Sequence, residues 1–83
     1  MRLEFTRHAL QVMEEREIPN EWVAQAVAEP AMREPDPYDT ELERFFRNVP
    51  ERGSRTLRVV VNTRVAPWRV ISVFFDRGMR GRL

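Results

Sequence analysis

The chain has no cysteine and no lysine, one histidine and three glycines. Without cysteine there is no disulfide framework, no thiolate metal site and no cysteine nucleophile. A lone histidine, His8, excludes the usual zinc sets, which need three or four His or Cys ligands. Magnesium held by carboxylates is chemically allowed, but no compact acidic cluster points to it, so no cofactor and no metal site are expected. The opening residues Met1-Arg2-Leu3-Glu4-Phe5 lack the apolar stretch of a secretory signal. No run approaches the roughly 20 apolar residues of a membrane span. The expectation is a cytoplasmic protein with no membrane partner.

All 14 basic residues are arginine. A GC-rich coding sequence also replaces lysine by arginine, but that does not explain where the arginines fall. Residues 1–43 hold four arginines against eleven acids, a net of −7. Residues 44–83 hold ten arginines against Glu51 and Asp76, a net of +8. This asymmetry predicts two unlike surfaces, the positive one a footprint for an anionic partner, most commonly nucleic acid. Arginine suits that task because its planar fork grips phosphate in bidentate fashion and stacks on bases.

Eighty-three residues make one domain, which buries only about 60% of the surface its unfolded chain exposes. That domain is expected over residues 1–76, with a basic flexible tail over 77–83. Leu3 and Phe5 alternate with Arg2 and Glu4, a short strand. Thr6 suits a helix N-cap. Arg7–Arg16 follows at helical period, with Ala9, Leu10, Val12 and Met13 sharing one face. A second helix is expected from Asn20 to Glu29, with Trp22, Val23, Ala26 and Val27 as its buried stripe and Ile18 stapled back across Pro19. Residues 31–34 read as a short edge strand, and Pro35-Asp36-Pro37 as a turn.

The remainder reads as three strands. Leu42–Val49 sets Leu42, Arg44 and Phe46 on one face and Glu43, Phe45, Arg47 and Val49 on the other. Residues 50–53 form a hairpin connection. Arg55–Asn62 turns Leu57, Val59 and Val61 inward and Thr56, Arg58 and Val60 outward. Trp68–Phe75 is apolar on both faces, with Val70 and Phe74 on one and Ile71, Val73 and Phe75 on the other, as in a central strand. The expected fold class is therefore α+β: two N-terminal helices packed on one face of a mainly antiparallel sheet, in the order β-α-α-β-β-β-β.

Several segments carry a family likeness. They are Phe5-Thr6-Arg7-His8-Ala9, Arg16-Glu17-Ile18-Pro19-Asn20-Glu21-Trp22-Val23, Glu29-Pro30, Arg44-Phe45-Phe46-Arg47, Leu57–Asn62 and Val70–Phe75. Together they resemble the bacterial domain-of-unknown-function family 4258, itself similar to the RelE/ParE toxin superfamily. The resemblance covers nearly the whole chain. It implies a RelE/ParE-like fold and a toxin-like RNA-binding protein, with metal-independent endoribonuclease activity as its enzymatic form. It also implies a cognate antitoxin and RNA, including ribosome-associated mRNA, as partners. The chain departs from that family at Glu17, where a glycine is common, which leaves the geometry of this turn open.

His8 stands near the start of the first helix, where the helix dipole favours a neutral imidazole. Such a ring can take a proton from a ribose 2′-OH; the alternative is a structural histidine joining sheet to helix. Arg44, Arg47 and Arg58 lie on neighbouring strands about 4.8 Å apart. Two on one face can hold a phosphate and stabilise the charge that builds there. Alternation lets only one of Arg44 and Arg47 join Arg58, and Arg44 is the choice. The other reading makes these arginines solvated or paired with Glu41, Glu43 and Glu51. Tyr38 and Trp68 are the aromatics expected to meet bases, and Phe45 and Phe46 are assigned to the core. The proposed catalytic set is His8, Arg16 and Arg58, with phosphate held by Arg44, Arg47 and Arg58. Arg77, Arg80 and Arg82 can add nonspecific phosphate contacts. The rival is a non-catalytic homodimer made sheet to sheet, which would cover Val70 and Phe74.

Overall fold

The computed structural model describes residues 2–79 and 81–83; Arg80 of the expected tail lies outside them. The elements run β1 (Leu3–Phe5), α1 (Arg7–Glu15), α2 (Asn20–Ala28), β2 (Met32–Pro35), β3 (Leu42–Val49), β4 (Arg55–Asn62) and β5 (Trp68–Phe75). Short 3-10 turns follow β3 at Pro50–Arg52 and β5 at Arg77–Met79. The architecture is α+β, with strand order β1-β5-β4-β3-β2. Among the described residues, only the β1–β5 pair is parallel. The last three strands stand where alternation placed them. The edge strand is displaced by one residue, to 32–35, and pairs Met32 with Phe46 and Pro35 with Glu43. Proline has no N–H to give a ladder, and an edge strand tolerates that.

Thr6 fixes α1 to the sheet. Its Oγ1 accepts from the Ala9 N–H at 3.1 Å and donates to the Ile71 carbonyl at 3.2 Å, so one hydroxyl caps the helix and pins it over β5. Of the four apolar residues expected on its face, Ala9 and Met13 are buried. Leu10 is not: it is 52% exposed. α1 lies over β5 near the sheet margin, and that placement leaves only a narrow stripe covered. α2 buries Val23, Ala26 and Val27, with Pro19 as its N-cap and Ile18 buried beside it. Both helices pack on one face, onto Phe45, Val49, Leu57, Val59, Val61, Val70 and Val73.

β5 does not keep the simple alternation expected of it. Val60 pairs with Ser72 and Val61 with Val70, so Ile71 is an extra residue in a bulge. A bulge adds one residue to one strand and resets the alternation beyond it. Val70 and Val73 are therefore both fully buried in the helix-side core. Val70 does not share a face with Phe74 and needs no second protomer to cover it. The segment expected to be a free tail begins with the Arg77–Met79 turn, which lies against β4: the Met79 carbonyl stands 3.5 Å from the Thr56 Oγ1.

Candidate nucleic-acid interface

Alternation along β3 and β4 turns Arg44, Phe46, Thr56, Arg58 and Val60 to the face away from the helices. Phe46 pairs with Arg58 and Arg44 with Val60, so Arg44 and Arg58 are diagonal neighbours on one face. Their surroundings are not those of an open positive platform. Arg44 Nε lies 3.3 Å from Asp36 Oδ2, and its Nη1 lies 3.7 Å from Glu34. Arg58 Nε lies 3.5 Å from Asp76 Oδ2, and its guanidinium carbon sits 4.3 Å above the Phe74 ring. The arginine side chains roof an apolar floor in which Phe46 is 1% and Val60 8% exposed. Two arginines thus face three carboxylates. The acidic first half of the chain supplies Glu34 and Asp36 through the edge strand beside β3. Folding therefore interleaves the two charge blocks on this face instead of segregating them.

Arg58 is the less satisfied of the two. Its side chain is only 19% exposed, and its Nε is buried without a hydrogen-bond partner. The Asp76 oxygen is close enough for an ion pair but is not aligned as an acceptor. Burial pushes the Arg58 guanidinium below its ordinary pKa, and the neighbouring Arg44 charge adds to this against the pull of Asp76, Asp36 and Glu34. Asp36 is shifted down, first by the hydrogen bond from the Tyr38 N–H and further by Asp39 and Arg44.

The other expected site residues are dispersed. Arg47 faces the helix side, where its Nη1 donates to the Glu29 carbonyl at 2.6 Å and closes the end of α2. Tyr38 is 91% exposed in the β2–β3 connection. Trp68 packs with the helix-side core, its ring 5.9 Å from that of Phe45. Arg33 stacks over both rings and grips Glu43 with two hydrogen bonds, at 2.7 and 3.0 Å. Those bonds, with a third from Thr63, lower the Glu43 carboxyl to about 2. His8 is exposed on α1, in the layer across the sheet from Arg44 and Arg58. The structure does not bring it to them.

Positive charge without a carboxylate partner gathers elsewhere. Where β4 begins and β5 ends, a cleft of about 700 Å³ is lined by Arg16, Arg55, Thr56, Phe74, Phe75, Asp76 and Arg77. Its three arginines are exposed. Among the described residues, none of them lies within salt-bridge distance of a carboxylate. The one acid in the wall, Asp76, already faces Arg58 and accepts the Gly78 N–H at 2.9 Å. Asp76 therefore joins Arg58 to the cleft, so Arg16 and Arg58 stand near one recess while His8 does not. A smaller recess of about 450 Å³, lined by Glu51, Arg52, Gly53 and Arg55, adjoins it through Arg55. Three unpaired guanidiniums in one concavity can hold phosphate oxygens in bidentate fashion. The sequence reading passes over Arg55 and treats Arg77 as tail. The signal was available in the pairing of the last two strands, because the start of one antiparallel strand lies beside the end of the next.

Among the described residues no group of three or more His, Asp or Glu side chains is placed to hold a metal. No helix among them is long and apolar enough to cross a membrane. The profile of a family described as "Domain of unknown function (DUF4258)" matches residues 5–75. No curated protein and no solved structure matches the chain.

Proposed function

The chain belongs to the DUF4258 family, and we propose that this member binds single-stranded RNA through the arginine-lined cleft at the end of its sheet. The observation that carries the reading is the trio Arg16, Arg55 and Arg77, exposed in one concavity without carboxylate partners. Phosphate is the anion such a trio suits, and a polymer of phosphates can engage all three at once. A recess of about 700 Å³ has the volume of a small-ligand site. It has room for a nucleotide of a flexible strand.

The resemblance to RelE/ParE toxins makes growth inhibition by RNA binding the biological form of this proposal, with an antitoxin segment covering the same cleft. His8 takes no part in this reading, because its imidazole stands on α1, in the opposite layer from Arg58. The test is fluorescence anisotropy of a labelled single-stranded RNA across a salt series. Three phosphate contacts at about 0.7 each give a log–log slope near −2. A flat salt dependence, or equal affinity for a neutral-backbone analogue, would sink the proposal. The same RNA should stay intact on a gel after incubation with chelator; scission lost in His8→Ala would replace binding with catalysis.

A further inference from the structure

Arg52 lines the smaller recess beside this cleft, and its guanidinium folds back onto the protein. Its Nη2 donates to the Glu17 carbonyl at 2.6 Å and to the Arg16 carbonyl at 3.2 Å. Its guanidinium carbon lies 5.2 Å from the Trp22 ring centre and 5.9 Å from that of Phe75. The side chain therefore ties the connection after β3 to the turn between α1 and α2. The base of this tie is fixed, because Arg52 closes a 3-10 turn that ends in a left-handed Gly53, φ 66°.

The turn that Arg52 holds is strained. α1 ends in a Schellman motif: the Ile18 N–H donates to the Met13 carbonyl at 2.8 Å, and the Glu17 N–H to the Glu14 carbonyl at 3.2 Å. The donor of the second bond in such a motif is left-handed and usually glycine. Here it is Glu17, with φ 54°, a conformation that a side chain disfavours. Arg16 immediately precedes it and lines the cleft, as does Phe75, one of the two rings Arg52 covers.

We propose that Arg52 is a positioning residue: it clamps the strained Glu17 turn and thereby holds Arg16 in the wall of the cleft. The proposal rests on the RNA-binding reading and adds how one of its arginines is held. Arg52 Nη2 is committed to two backbone carbonyls, and in this proposal the side chain acts through Arg16 rather than through a phosphate contact of its own.

Binding of a labelled oligouridylate is measured across salt for Arg52→Met, Arg16→Ala, their double variant, and Arg52→Met with Glu17→Gly. Methionine keeps an unbranched apolar stem and removes the guanidinium donors. Arg52→Met is expected to weaken binding roughly tenfold and make the slope shallower by about 0.7, one phosphate, as Arg16→Ala does. The double variant is expected to match Arg16→Ala alone, because both changes remove the same contact. Adding Glu17→Gly restores affinity and slope, since glycine holds the turn without a clamp. Wild-type binding by Arg52→Met overturns the proposal. So does a double variant that loses a second increment of slope, which would make Arg52 a direct phosphate contact, or a failure of Glu17→Gly to restore binding. The clamp is also read without RNA, through hydrogen exchange of the Ile18 amide. Exchange is expected to quicken in Arg52→Met and slow again with Glu17→Gly; unchanged exchange overturns the clamp even where RNA binds. Quickened exchange in a protein whose wild type ignores RNA fails the RNA reading and leaves the clamp standing.

Discussion

Arg55 and Arg58 lie three residues apart on one strand and meet different surroundings. Arg58 is over an aromatic ring, beside a carboxylate and mostly buried. Arg55 is exposed at the strand's first position with no ion pair among the described residues. Only the second kind releases counterions when a polyanion arrives. Arg55→Ala and Arg77→Ala are each expected to make the salt slope of RNA binding shallower by about 0.7, read by anisotropy. Arg64→Ala, at the other end of β4, should leave the slope unchanged. Glu43 belongs to the same scale. Its folded pKa is depressed, from 4.5 to about 2, so its contribution to stability is complete above pH 4.5 and is lost as the pH falls towards 2. In urea unfolding at stepped pH, Glu43→Gln should flatten the decline over that window. A decline as steep as the wild type's would show that Arg33 and Thr63 do not hold the carboxylate.

At the scale of elements, the bulge at Ile71 and the cap at Thr6 decide how α1 meets the sheet. Val70 is fully buried because the bulge turns it to the helix side. Val70→Ala should cost on the order of 2 kcal/mol in denaturant unfolding. Leu10→Ala should stay within about 0.5 kcal/mol, as at an ordinary surface position. The reverse order would mean that α1 is rotated from the position described. Thr6→Ala removes both the cap and the bond to the Ile71 carbonyl, and a loss of about 1–2 kcal/mol is expected.

The whole molecule presents an outer sheet face that is charged but balanced. Arg44 and Arg58 with their carboxylates roof Phe46 and Val60, and Val70 lies in the protein's own core. The apolar surface that would drive a sheet-to-sheet dimer is thereby covered from within. Light scattering at micromolar concentration is expected to return the monomer mass. A stable dimer that Arg44→Glu dissolves would revive the interface reading and place the sheet face inside it.

The amino-acid pattern alone determined the α+β class, the limits of the three long strands and the cap at Thr6. Each of these follows from local rules: strand period, helix period and side-chain chemistry within a few residues. Tertiary structure decided the charge map. Asp36 and Glu34 reach Arg44 across a strand pair, and Asp76 returns from the end of β5 to Arg58, so the sum over a sequence half says little about a folded face. The bulge at Ile71 was equally hidden, because one extra residue in an all-apolar strand leaves no break in its pattern. The cleft itself exists only because strand pairing and the α1–α2 turn bring positions 16, 55 and 77 to one end of the sheet, and distance in the folded chain is set by pairing rather than by sequence neighbourhood.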